Sequence, residues 1–144
     1  MRLTTFTDYS LRVLMYLANA PGRRGTIAEV AGFYAISEAH LVKVVHLLGR
    51  EGLLRNTRGR GGGIELARAP RAISVGRTVR LTEGLDLPAE CFDREHNTCR
   101  LAGRCRLERA LGKALGKFYE VLDGYTLEDL RRSTARAASQ PSDE

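Results

Sequence analysis

The stretch "TIAEVAGFYAISEAHLVKVVHLLGREGLLRNTRGRGGGIEL", residues 26–66, decides the fold. Thr26 with Glu29 three residues on forms a capping box, which marks a helix start. Ser37 marks a second start, and behind it Leu41, Val44, Val45 and Leu48 recur at helical spacing. About four residues separate the two helices, the length of a helix-turn-helix turn. Gly52 closes the second helix. Beyond it, the apolar pairs Leu53-Leu54 and Ile64–Leu66 flank a tip rich in glycine and arginine, which predicts a β-hairpin with a long loop.

Upstream, "TDYSLRVLMYLANAPG" predicts a first helix. Thr7 is its expected N-cap, with Phe6 and Leu11 placed as a hydrophobic staple. Leu11, Leu14, Leu17 and Ala18 share one face, and Pro21-Gly22 stops the helix. Three helices followed by a basic hairpin is the winged helix-turn-helix order. Downstream, Ser74 to about Glu83 predicts a fourth helix, and Pro88 and Gly103 break the polar segment after it into a loop.

The segment "RLERALGKALGKFYEVLDGY" lines up Leu107, Leu111, Ala114, Leu115, Phe118 and Leu122 on one stripe. That is an amphipathic helix of about five turns, too long for the small N-terminal domain alone to cover. Gly112 and Gly116, four apart, suit either a close helix approach or plain surface positions. Thr126 caps one more short helix. The fold class is therefore mainly α with a small β-hairpin. A winged helix-turn-helix occupies residues 1–83, a cysteine loop residues 84–105, and a long helix with a short final one residues 106–130. Residues 131–144 are small and polar and read as a disordered tail.

Charge points to a polyanionic partner. Lys and Arg number 23 against 17 Asp and Glu, for a net charge of +6, and arginine far outnumbers lysine. Arginine suits two-pronged contacts with phosphate and guanine. The third helix carries Ser37, His40 and Lys43 in its N-terminal half, off the apolar stripe, where base contacts are expected of such a motif. The hairpin tip carries Arg55, Arg58 and Arg60, and Gly61 and Gly62 let its backbone come close to a duplex. A phosphate-cradling enzyme loop fails on detail, because no Gly-Lys-Ser or Gly-Lys-Thr follows the glycines and no helix opens there. No catalytic acid–base set surrounds the cysteines, so no enzyme is expected. No apolar run approaches the roughly 18 residues of a membrane span, and the first ten residues lack a signal peptide's apolar segment. These features predict a cytoplasmic protein with reduced thiols.

The cysteines, three in all, lie in "CFDREHNTCRLAGRC", residues 91–105. Arg94, Arg100, Arg104 and Arg106 stand among them, which is expected to favour thiolate. The residue types leave three chemistries open. One is an iron–sulfur cluster, [4Fe-4S] or [2Fe-2S], held by three cysteines and one other ligand. Another is zinc bound by Cys91, His96, Cys99 and Cys105, although no short Cys-x-x-Cys chelate supports it. The third is a redox switch in which two cysteines pair on oxidation.

"MRLTTFTDYSLRVLMYLA", "HLVKVVHLLGREGLL", the "RGRGGGIELA" hairpin and the spacing of seven and five residues between cysteines resemble the NsrR/IscR family of winged-helix iron–sulfur repressors, from Met1 to about Leu130. The "TDYSLRVL" start resembles its nitric-oxide-sensing branch in particular. The resemblance implies a homodimer joined through the long helix, binding a palindromic double-stranded operator and holding one [4Fe-4S] cluster per subunit. It implies Cys91, Cys99 and Cys105 as ligands, with Asp8 of the partner subunit as the fourth. It implies repression that is released when nitric oxide reacts with the cluster. Within the same fold the effector could instead be iron or cluster supply, and a zinc-stabilised nucleic-acid module without sensing is the alternative from another class. The other branch's histidine, three residues after the third cysteine, is Glu108 here, so the chain departs from that pattern. Arg12, one turn after Asp8, is placed to pair with it.

Overall fold

A computed structural model describes residues 2–20, 22–84, 89–93 and 95–131. The readings placed on Pro21, Pro88, Arg94 and residues 132–144 lie outside the described residues. The order is α1 (Thr5–Ala18), α2 (Ile27–Tyr34), α3 (Glu38–Arg50), β1 (Leu54–Thr57), β2 (Gly63–Leu66), α4 (Val75–Glu83) and α5 (Arg106–Asp123). Short 3-10 turns occupy Pro70–Ala72 and Glu90–Phe92, and residues 127–131 are helical. This is the expected winged helix-turn-helix followed by a long helix.

The core is built from the stripes legible in the sequence. Leu41, Val44, Val45 and Leu48 of α3 are buried against Val13, Leu14, Leu17 and Ala18 of α1 and Val30 and Ala31 of α2. Thr26 and Glu29 close both arms of the capping box on α2. The turn between α2 and α3 depends on Ala35, whose φ of 53° is left-handed. This conformation lets the Ile36 amide reach back to the Ala31 carbonyl at 3.0 Å and buries Ile36 in the core. α3 ends in the same way, with Gly52 at φ 68° and the Leu53 amide bonded to the Leu48 carbonyl.

The hairpin pairs Leu54 with Leu66 and Thr57 with Gly63 in antiparallel register. Gly25 adds a bridge to its inner edge through two backbone hydrogen bonds with Ile64, of 2.9 and 2.8 Å. The wing is thereby stitched to the residue just ahead of α2, a link that no periodicity signals.

The cap of α1 differs from expectation. Thr4 is the N-cap, its hydroxyl accepting from the Thr7 amide, while Thr7 is buried within the helix. Thr4 prevails because a distant group holds it: its amide donates to the Glu83 carboxylate at 2.8 Å and its hydroxyl to the same oxygen at 3.2 Å. Glu83 ends α4, so the start of α1 and the end of α4 are tied together.

α4 also holds α5. Arg80 makes a two-pronged bridge to Asp123, with bonds of 2.6 and 2.7 Å, and lies over the Tyr119 ring. That bridge holds the Asp123 carboxyl below its usual range. Val75 and Leu127 continue the seam through backbone bonds to Tyr125 and Ile73. A side chain at Gly76 would run into Asp123, so the close approach of α4 to the end of α5 requires glycine there. α5 itself buries no residue fully. Leu107 is 64% and Val121 60% exposed, and Leu111, Leu115, Phe118 and Leu122 are only partly covered. Gly112 faces the Phe92 ring, and nothing among the described residues lies within 4 Å of a Cβ built at Gly116.

Leu48, fully buried, should cost about 2–5 kcal/mol when changed to alanine. Ala35→Gly should instead raise stability by about 1 kcal/mol, since glycine adopts the left-handed conformation without strain. Denaturant unfolding followed by circular dichroism checks both signs.

Candidate DNA-reading surface and cysteine centre

The positions read as DNA-contacting lie on the outside of the first lobe. Ser37, His40 and Lys43 of α3 are exposed. Ser37 occupies the N-cap position, yet its hydroxyl makes no capping bond to the helix. His40 does not stand alone: its ring lies 6.2 Å, centre to centre, from that of Tyr9 on α1. At the wing, Arg58 and Arg60 are exposed. Arg55 is exposed too, but leans on Glu65 across the hairpin at 3.4 Å, and Arg24 reaches the same carboxylate at 3.5 Å. The wing is therefore braced at its base by one carboxylate between two arginines and free of carboxylates at its tip among the described residues.

The glycines of the tip have local reasons. Gly61 takes φ 77°. Gly62 donates to the Gly59 carbonyl at 2.9 Å, and a Cβ there would meet the Thr57 and Gly59 carbonyls. The sequence supplied the glycines but not this cause, because the constraint is a turn closing on itself.

The three thiols are free, Cys99 exposed and Cys91 and Cys105 half-buried. Carboxylates and amides organise the loop that carries them. Asp93 accepts from the Glu95 and His96 amides, Glu90 from the amide and hydroxyl of Thr98, Asn97 from the Cys99 amide, and Glu108 from the Gly103 amide. These bonds hold Asp93 and Glu90 below the usual carboxylate range. His96 is 80% exposed, with Nδ1 3.0 Å from Asp93. A cleft of about 550 Å³ opens between Cys91, Phe92, Asn97, Ala102, Gly103 and Glu108.

The electrostatics of Cys91 correct the expectation drawn from the neighbouring arginines. Burial pushes its thiol up, and Glu108, Cys99 and Cys105 push it further the same way. The arginines are near in sequence, but the charged side chain that shifts Cys91 is the Glu108 carboxylate. Among the described residues no three His, Cys, Asp or Glu side chains converge at metal-binding range. The donor chemistry nonetheless suits a thiolate-held cofactor: three unpaired thiols share one polar loop, and one further ligand of another kind would complete a four-ligand set.

Asp8 stands in the first turn of α1, 44% exposed, and is gripped by Arg12 through bonds of 2.9 and 3.1 Å. The expected pair is thus formed. Arg12 also lies over the Tyr34 ring, at 5.6 Å from its centre. The Tyr34 hydroxyl is buried without a partner among the described residues, and burial pushes its phenol up. Asp8, Tyr9 and Arg12 therefore place a carboxylate, an aromatic contact to α3 and a cation within one stretch of α1.

Gly62→Ala should distort residues 57–63 and cost about 1 kcal/mol or more. NMR shift changes confined to the hairpin, with α3 unmoved, would match that expectation.

Residues 3–133 match the model of the Rrf2 family, described as iron-dependent transcriptional regulators. The chain is 48% identical over 132 residues to the HTH-type transcriptional regulator NsrR of Shouchella clausii, an alignment covering 90% of this chain and 88% of that one. It is 47% identical over 131 residues to the NsrR of Bacillus subtilis, covering 90% of each. Among solved structures it resembles IscR of T. potens, with a TM-score of 0.74 and 26% identity over 99% of this chain and 94% of that one. It also resembles CymR, the global cysteine regulator of B. subtilis, with a TM-score of 0.71 and 31% identity over 92% and 98%. Both NsrR relatives are named transcriptional regulators, and the family is one of regulators rather than enzymes. No described helix is long and apolar enough to cross a membrane.

Proposed function

The chain belongs to the Rrf2 family of iron-dependent transcriptional regulators, and on that premise we propose that it is a cytoplasmic repressor whose grip on DNA responds to nitric oxide through a [4Fe-4S] cluster. The observation that carries this reading is the pairing of an exposed, cation-tipped winged helix with three free thiols in one loop, on a chain 48% identical to an NsrR.

Residues 1–83 act as the DNA-binding domain. Ser37, His40 and Lys43 lie towards base edges in the major groove. Arg55, Arg58 and Arg60, with the Gly61-Gly62 backbone, hold phosphates or the minor groove beside it. α5, whose apolar stripe this chain leaves half bare, joins two copies into a homodimer across a palindromic operator. Residues 84–105 form the cofactor loop, with α5 and the short helix after it, to residue 130, as the dimerisation unit.

Cys91, Cys99 and Cys105 would hold the cluster, and Asp8 of the partner subunit would complete it. When bound, the cluster supplies iron that reacts with nitric oxide. Asp8 thus has two possible partners, the cofactor across the dimer and Arg12 in its own helix. Exchange between them shifts the first turn of α1. Tyr9, the next residue, carries that shift to His40, and Thr4 carries it to Glu83 at the end of α4. A hundredfold change in DNA affinity needs only about 2.7 kcal/mol of preference between the two arrangements.

Alanine at Cys91, Cys99 or Cys105 should abolish the visible absorbance of protein reconstituted without oxygen, while far-ultraviolet circular dichroism stays unchanged. Asp8→Ala should keep a coloured cofactor with an altered spectrum and nitric-oxide response. An unaltered spectrum and response in Asp8→Ala would remove Asp8 from the ligand set. Colourless wild-type protein holding stoichiometric zinc would support the zinc-stabilised module instead.

A further inference from the structure

Val42 stands out on α3. Leu41, Val44, Val45 and Leu48 form the buried stripe of that helix, and steps of about 100° per residue put Ala39, Lys43, His46 and Arg50 opposite it. Val42 lies beside this outer face, flanked one turn away by the exposed Glu38 and His46 and in sequence by the exposed Lys43. It is 52% exposed and belongs neither to the core nor to the apolar side chains packed on it. Some of the other exposed apolar residues have company, though Leu101, at 63% exposed, does not lie on a helix. Phe33 packs edge-on against Tyr16 and Tyr34, and Leu107 belongs to the apolar stripe of α5.

A solvent-facing helix position favours Lys, Arg or Glu, which are better helix formers than valine and keep water contacts. Valine can neither donate nor accept a hydrogen bond, so it gains nothing from phosphate or from most base edges. The major groove presents one apolar group, the C5-methyl of thymine. An apolar branched side chain set among Glu38, Lys43 and His46 on a groove-reading face matches that group.

We infer that Val42 reads a thymine methyl in the operator and is a specificity-determining residue of α3, an inference that rests on the proposed role of this helix in the major groove. Its neighbours supply attraction to the backbone and polar contacts to bases. Val42 supplies discrimination, because a cytosine at that position offers no methyl.

The test uses the full chain, prepared without oxygen, and an operator selected from randomised duplex DNA. Each thymine of a half-site is replaced in turn by deoxyuridine, which removes the methyl and keeps the pairing, and affinity is read by fluorescence anisotropy at fixed salt. Wild type should lose about fourfold at one position per half-site, the worth of one methyl-sized group leaving an apolar contact. Val42→Ala should bind the thymine operator more weakly by a similar factor and be indifferent to deoxyuridine at that same position, with unchanged affinity for random DNA. Wild type insensitive to every replacement, or the variant as sensitive as wild type at the same position, would overturn the inference. If no sequence were enriched in the selection, the DNA-reading role itself would fall and Val42's with it.

Discussion

The structure depends on the last turn of α4 being fixed on two sides. At its C-terminus Glu83 takes the Thr4 amide and hydroxyl, which sets where α1 begins. One turn earlier Arg80 clamps Asp123, which sets where α5 ends. The face between α1 and α4 is small and polar: Ser10, Thr78 and Thr82 turn their hydroxyls onto carbonyls of their own helices, leaving the surface smooth. α3 packs on α1 as well.

That arrangement explains why one stretch of α1 gathers so many contacts. Asp8 meets Arg12, Tyr9 meets His40, and Thr4 meets Glu83. A carboxylate with a salt-bridge partner in its own helix has an alternative to a cofactor, and the alternative lies within four residues. The Tyr34 hydroxyl, buried beside Arg12 with no partner among the described residues, adds a polar group sensitive to where that guanidinium sits. Were Asp8 to exchange Arg12 for a cofactor as proposed, the switch would need no long pathway, only two arrangements of one helical turn.

Sequence pattern sufficed wherever a feature is local. The α3 stripe, the Thr26–Glu29 box, Ser74 as the start of α4 and the two hairpin strands follow from spacing and residue type. Features set by distant groups did not. Thr7 is as good a capping residue as Thr4, and only Glu83, 79 residues on, decides between them. Ala35 in a left-handed turn has no signature, since glycine is the expected residue there. In the cysteine loop, the flanking arginines suggest easy ionisation, but burial, and then Glu108 in the first turn of α5, pushes the Cys91 thiol up. The cysteines and the wing cations were legible as a set. The contact between Tyr9 and His40 was not, because it joins two helices whose relative placement only the folded core specifies.

The account's central claim is that a thiolate-held iron–sulfur cofactor governs how tightly the winged helix grips its operator. Titrating nitric oxide into anaerobic, iron- and sulfide-assayed protein while following operator binding tests it most directly. The account predicts iron and sulfide bound by the cysteine loop, and a fall in affinity of about a hundredfold that tracks loss of the cluster's visible absorbance. Protein that holds no iron or sulfide yet grips the operator in full, or whose affinity stays constant while the absorbance is lost, would contradict it.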